Sequence, residues 1–278
     1  MESIQFWGKN NHKFCKCNVC GLIHFKCHLR VELDNLVIFL LFKIAVSKIL
    51  VTSGGNSHDI QTTSEIVDLT VKGGNMCNNW PDFPIGVKGA TGGIIGDNVI
   101  ICGGWGIDEC YRFTSEKVTL VTHMSVGRED AASIVLNDNT LWVTGGFNSG
   151  NVASSTEYVT ANGTILGPDF PMALYGHAMV AINKTCSMVI AGRNWFSVSP
   201  LTFFYDHGEG EFMINGPSLM QARAHHAAGI VTDDVTDEHF AVVTGGGGGG
   251  ESWLDSTEIL QDGNWVEGKI NDIISYLL

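Results

Sequence analysis

From Lys48 onward the apolar positions come in short blocks, each closed by glycine. The blocks read Ile49-Leu-Val-Thr-Ser-Gly54-Gly55, Val99-Ile-Ile-Cys-Gly103-Gly104, Leu141-Trp-Val-Thr-Gly145-Gly146, Met188-Val-Ile-Ala-Gly192-Arg193 and Phe240-Ala-Val-Val-Thr-Gly245-Gly246. Unbroken apolar runs of this length, rich in β-branched residues, predict strands buried on both faces. Long helical periodicity is absent. Two further markers keep phase with the blocks. Thr63-Ser-Glu65, Ser155-Thr-Glu157 and Ser256-Thr-Glu258 follow three of them, and Ala131-Ala-Ser-Ile-Val135 is echoed by Ala227-Ala-Gly-Ile-Val231. Pro81-Asp-Phe-Pro84 returns as Pro168-Asp-Phe-Pro171. Several markers in phase define an internal repeat of about 48 residues.

Each repeat divides into four short strands. In the third they are predicted at 130–137, 140–144, 155–160 and 163–166, with Asn137-Asp138-Asn139 as the tight turn between the first two. A four-stranded antiparallel unit cannot bury both faces alone. Stacking such units around an axis covers each face with a neighbour, which is the β-propeller solution. Glycine doublets suit it, because a side chain would obstruct backbone approach where strands crowd near the axis.

The strand-Gly-Gly ending, an aromatic after the following polar loop (Tyr111, Tyr158, Tyr205) and a Trp near the end of the repeat (Trp80, Trp265) resemble the kelch repeat. The resemblance covers residues 48 to about 269 and implies an all-β, kelch-type propeller of about five four-stranded blades. The fourth repeat departs from the pattern, with Gly192-Arg193 where a doublet is expected, and repeats two to four lack the late Trp. The body opens on the second strand of its first blade, so an open or truncated ring is expected, with 270–278 available as a closing strand. The structural glycines are Gly54, Gly55, Gly103, Gly104, Gly145, Gly146, Gly192, Gly245 and Gly246.

Residues 1–47 read differently. Residues 36–47 are an apolar run interrupted by Lys43 and ending Ala45-Val46-Ser47, too short to span a membrane but suited to a secretory h-region cleaved after Ser47. The expected organisation is therefore a leader over 1–47, signal-type or non-native, and the propeller over 48–278. The alternative is a strand or helix of 36–47 that packs on the domain. Cys15, Cys17, Cys20 and Cys27 have one Cys-x2-Cys hook among them and are read as belonging to the leader, not to a metal knuckle.

Composition changes the picture in two places. Glycine is enriched (34 of 278) without a three-residue period, and proline is scarce (6), which excludes collagen and ordinary disorder. The formal charge is −13, and all of the negative excess lies after residue 47. So acidic a body excludes nucleic acid and generic anionic membranes as partners.

Little points to catalysis. Gly245–Gly250 satisfies a phosphate-loop pattern trivially and lacks the strand-turn-helix context. His177 and His226 hold comparable places in successive repeats, whereas His225 and His226 are adjacent and point apart in a strand. The kelch-like copper-radical oxidases need a Tyr–Cys crosslink with further Tyr and His ligands, a set not matched here. The expected function is a non-enzymatic protein–protein interaction module without cofactor or metal. The alternative is a metal-dependent enzyme of the galactose-oxidase-like class, with His177, His226 and nearby carboxylates at the channel end. Contacts are expected in loops 55–62, 104–108, 147–153, 193–198 and 246–254, led by Asn56, Trp105, Phe147, Asn148, Asn194, Trp195 and Trp253. No BTB domain fits in the N-terminal residues, so a ubiquitin-ligase adaptor role gains no support.

Secretion implies an oxidising compartment, in which Cys102 and Cys110, on adjacent strands, are expected to form a disulfide. Cys77 and Cys186 pair or stay free. Asn162-Gly-Thr164 and Asn183-Lys-Thr185 are glycosylation sequons in predicted turns. Extracellular localisation is expected, with the cytoplasm as the alternative, and no stable membrane span.

Overall fold

A computed structural model describes residues 38–45, 48–55, 60–68, 80–136, 139–213, 216–232, 236, 238–249 and 253–268. Asn56, Cys77, the leader cysteines and the proposed closing segment 270–278 lie outside them. The chain divides into two compact units, Met1–Lys88 with Phe113–Val118, and Gly89–Arg112 with Thr119–Leu278.

The first unit holds β1 (Ile38–Ala45), β2 (Lys48–Gly55) and β3 (Ile60–Asp68), an antiparallel sheet in that order. Residues 38–45 take the form expected as the alternative, a strand, and β1 and β2 make one hairpin with Ala45 opposite Lys48. The apolar stretch read as a secretory h-region is equally rich in strand formers, and it supplies the first strand that the sequence had left unassigned. In the same unit Phe83 donates its N–H to the Thr62 carbonyl and, with Trp80, stacks on Phe113 at 6.1 and 5.5 Å.

Four four-stranded antiparallel sheets follow. The first comprises β4 (Thr91–Ile95), β5 (Asn98–Cys102), β6 (Glu109–Phe113) and β7 (Val118–His123). The next has β8 (Ala132–Leu136) and β9 (Thr140–Thr144), a small hairpin β10 (Phe147–Asn148) and β11 (Asn151–Val152), then β12 (Thr156–Thr160) and β13 (Gly163–Leu166). The third is β14 (Ala178–Ala181), β15 (Cys186–Ile190), β16 (Thr202–Asp206) and β17 (Glu211–Met213). The last is β18 (Ala227–Thr232), β19 (His239–Thr244), β20 (Thr257–Gln261) and β21 (Asn264–Gly268). Among the described residues, then, four sheets have the four strands expected and the first has three.

Within the second unit the first strands β4, β8, β14 and β18 lie side by side in sequence order. Three apolar layers fill the spaces between sheets. Ile100 and Met124 meet Leu141 and Val143; Trp142 and Phe170 meet Val189 and Tyr205; Met188 and Ile190 meet Ala241 and Val243. The second strands are buried along nearly their whole length, as their unbroken apolar runs required. The fold is all-β and propeller-type.

In the second unit the doublets end the second strands in left-handed backbone, with φ of 59° and 97° at Gly145 and Gly146, whereas Gly54 and Gly55 lie within β2. A Cβ on Gly145 would meet the Leu174 carbonyl, and the Gly146 N–H donates to that same oxygen at 2.8 Å. The fourth repeat needs a one-residue correction. Ala191, not Gly192, fills the first doublet position, with φ 55° and its N–H on Leu201 O, as Gly145 N–H is on Ser155 O. Gly192 is the second member.

Two buried ion pairs explain the Ser-Thr-Glu marker. Arg128 donates from Nη1 to the carbonyls of Gly145 (2.7 Å) and Ser155 (2.8 Å), and from Nη2 to Ser155 Oγ (2.8 Å) and Glu157 Oε1 (2.9 Å). Glu157 Oε2 accepts the Ser125 N–H. Arg223, Gly245, Ser256 and Glu258 repeat this clasp two sheets later, with Met220 N–H on Glu258. In the intervening sheet Leu174 and Phe203 occupy the two positions and lie in one apolar layer. The sequence reading had noticed the glutamates but not their arginines.

Cys102 and Cys110 form a disulfide, with Cα atoms 4.1 Å apart. In sheet register they stand where Thr52 pairs with Ser64 and Thr244 with Thr257, whose hydroxyls are hydrogen-bonded. A covalent bond thus replaces a polar cross-strand pair at one repeat. Cys186 is a free thiol.

Candidate functional site

Ahead of each first strand of the second unit, one residue turns left-handed: Gly89, Asp130, Gly176 and His225, with φ of 65°, 53°, 59° and 53°. They are linked in series. Asp130 N–H donates to Gly89 O (2.7 Å), Gly176 N–H to Asp130 O (2.8 Å), and His225 N–H to Gly176 O (2.7 Å). Two of the four carry side chains although glycine would fit without strain, and outliers of this kind concentrate at ligand sites. Asp130 Oδ2 and His225 Nδ1 are 3.8 Å apart, each about a quarter exposed. The His225 ring lies across Gly176, where a Cβ would come within 2.9 Å of its Nδ1.

The loops after the doublets pair back onto this belt. Phe147 exchanges two backbone hydrogen bonds with Glu129, Arg193 two with Tyr175, and Gly247 two with Ala224. The result is a chain of rings: Trp195 against Phe147 (5.2 Å), Phe147 against Tyr175 (5.5 Å) and Tyr175 against His225 (5.9 Å). The Arg193 guanidinium sits over Tyr175 at 5.5 Å, and its Nε is sealed from solvent without a hydrogen-bond acceptor. Asn194 Oδ1 accepts the N–H groups of Phe196 (2.8 Å) and Ser197 (3.0 Å), fixing the loop that holds Trp195 half-exposed and Phe196 96% exposed.

The expected contact residues divide accordingly. Phe147 and Trp195 are brought together, and Asn194 shapes their loop. Asn148 accepts a hydrogen bond from Ser149, while Trp105 and Trp253 are exposed on the loops of the flanking sheets. Arg193 opens the expected contact loop 193–198, whereas Asp130, Tyr175 and His225 lie outside the expected loops. Their signal was positional, since they align with Gly89, Gly176 and Gly247 across repeats.

His177 and His226 lie one residue further along their strands and differ in kind from His225. His177 shares a hydrogen bond with Thr144 Oγ1 at 2.8 Å, and its Nδ1 and both nitrogens of His226 are sealed without a partner. Burial lowers each from the ordinary 6.5 to about 3, so both are neutral. Among the described residues no three-ligand group forms around them, and the alternative metal set is not assembled there. Asp108, Glu109 and His123 do gather, with Asp108 Oδ1 3.1 Å from His123 Nδ1, an exposed ion pair elsewhere on the protein. Asn162 and Asn183 are exposed, the latter capping the Thr185 N–H.

No described helix is long and apolar enough to cross a membrane. A scan against protein-family profiles and a search of curated proteins found no match. Among solved structures 214 chains are similar, so the architecture by itself selects no activity. One is the structure of YjhT, with 14% identity, a TM-score of 0.71 and 84% of each chain covered. That likeness and the sheet topology give this chain a β-propeller-like fold.

Proposed function

We propose that this chain is a kelch-type propeller acting as a non-enzymatic protein-binding module, and that it binds through the loop face carrying Phe147, Tyr175, Arg193, Trp195 and Phe196. The supporting observation is the ring chain that ends in exposed Trp195, with exposed Phe196 next to it in sequence. Large aromatics held in place by a backbone-capped loop lose little freedom on binding, which is how interface anchors behave. The acidic body selects a basic partner by long-range attraction, and the exposed rings receive its Lys or Arg side chains through cation–π contacts. The Cys102–Cys110 bond supports an extracellular or otherwise oxidising setting, where Asn162 and Asn183 can carry glycans.

The test is selection of a random peptide library on wild-type protein. Recovered peptides should be basic and should lose binding to Trp195→Ala/Phe196→Ala. They should keep it with Ile165→Ser/Leu166→Ser, an equally exposed apolar pair on outer strand β13. The reverse pattern would overturn the assignment of the face. Stoichiometric copper or zinc in purified protein, lost on His177→Gln, would overturn the non-enzymatic reading.

A further inference from the structure

The described arginines have different environments. Arg128 and Arg223 are buried against glutamates, and Arg193 rests on Tyr175. Arg112, on β6, has no hydrogen bond or ion pair among the described residues, and its Nε is sealed from solvent. This is anomalous in a chain with 29 acidic against 16 basic residues, because a partly desolvated cation ordinarily recruits a carboxylate.

Arg112 lines a cavity of about 230 Å³. Asn98 and Asn139 line it from the turns that start β5 and β9, and Ile95, Ile100 and Val121 are among its apolar lining. None of the described residues lining it is acidic. The doublets and the loop face stand at the other ends of β5 and β9, so this cavity is a separate place on the protein.

We propose that the cavity is a binding site for a small amphiphilic carboxylate, its carboxylate on the Arg112 guanidinium and its hydrocarbon part against Ile95, Ile100 and Val121. The guanidinium fork matches a carboxylate through two parallel hydrogen bonds, and the carboxamides can donate to its outer lone pairs. The apolar wall disfavours inorganic phosphate, whose remaining oxygens would face hydrocarbon. The volume is below that of pockets for drug-sized ligands, about 300 Å³ and upward, so a chain of a few carbons is the fitting size.

The experiment titrates intact protein with hexanoate, hexan-1-ol and phosphate, read by calorimetry and by the amide signals of Asn98 and Asn139. Hexanoate should bind saturably, and hexanol and phosphate should each bind about tenfold or more weakly. Arg112→Gln should lose hexanoate by a similar factor. Arg112→Lys should fall between, because it keeps the charge but not the fork. Equal binding of hexanol, equal or tighter binding of phosphate, or unchanged affinity in Arg112→Gln would overturn the proposal. So would absence of hexanoate binding at millimolar concentration. Should Arg112→Gln fail to fold, the comparison of hexanoate with hexanol on wild type still decides. The peptide selection on the loop face is untouched by either outcome.

Discussion

Replacing Glu157 by Gln isolates the electrostatic part of the Arg128 clasp, because shape is kept and the negative charge is removed. The side chains of Arg128 and Glu157 are 0% and 1% exposed, so water cannot compensate the arginine. Glu157 accepts from Arg128 Nε (3.2 Å), Arg128 Nη2 (2.9 Å) and the Ser125 N–H (2.7 Å). A carboxamide offers one acceptor oxygen, so its NH2 group must face a donor on one side or the other. Leaving one buried charge without its partner costs about 3–5 kcal/mol. A whole domain is stable by about 5–15 kcal/mol, so the loss is a large fraction. At this chain length it corresponds to a fall in melting midpoint of about 6–20 °C.

Two internal controls sharpen the test. Glu258→Gln removes the same charge from the second clasp and should cost a similar amount. The double variant Arg128→Leu/Glu157→Phe copies Leu174 and Phe203, which fill these positions in the sheet between, and should regain most of the loss. Apolar replacement of a whole buried pair is often neutral or better, whereas deletion of one half is not. Urea unfolding of all four proteins gives the free energies. A cost below about 1 kcal/mol for Glu157→Gln, or a double variant less stable than the single, would refute the argument that charge isolation dominates.

The remaining predictions concern pH, covalent closure and backbone. His177 is neutral when folded and takes up a proton near 6.5 when unfolded, so its contribution is complete above pH 6.5 and falls toward pH 3. Thermal melts should lose about 1.4 kcal/mol per pH unit in that window from this residue, and His177→Gln should flatten the acid limb. Reducing the Cys102–Cys110 bond, or replacing both by Ser, should cost about 2–3 kcal/mol and open the loop bearing Trp105 to proteolysis, read by mapping of cleavage products. Gly145→Ala places a Cβ against the Leu174 carbonyl, whereas Gly106→Ala meets open space at φ 73° against 59°. Unfolding free energies from denaturant titration should therefore fall by about 1–2 kcal/mol for Gly106→Ala and by clearly more for Gly145→Ala.

What the repeat made legible follows from what was repeated. The second strands are buried on both faces, so their apolar runs were unmistakable, and the strands predicted in the third repeat match the observed ones to within two residues. The Cys102–Cys110 pairing was legible because a short loop joins two adjacent strands. The apolar segment before Lys48 left two readings open because an h-region and a strand share one composition, and its pairing with β2 is seen only in the fold. The clasp was half visible. Glu157 and Glu258 recur beside Ser-Thr, while Arg128 and Arg223 precede their first strands without a local signature and meet the glutamates only through the fold. The same holds for Asp130 and His225, whose left-handed backbone is seen only when the repeats are aligned in space.

The contrast between invariant and varied positions also argues for where the function lies. At the clasp positions the three sheets from β8 onward alternate between two stable solutions, Arg with Glu and Leu with Phe, and both serve packing. At the belt and loop positions the residues vary more widely. The belt holds Gly89, Asp130, Gly176 and His225, and the residue after each doublet is Trp105, Phe147, Arg193 or Gly247. A frame with near-equivalent sheets therefore presents a surface without symmetry, with its rings and its guanidinium concentrated between the β8–β13 and β14–β17 sheets and glycine on the far side. Packing alone gives no reason to place Arg193 beside Tyr175 in one sheet and bare Gly247 in the next. Under the proposed function a partner held in one orientation does, because only an uneven surface distinguishes one approach from its rotated copy.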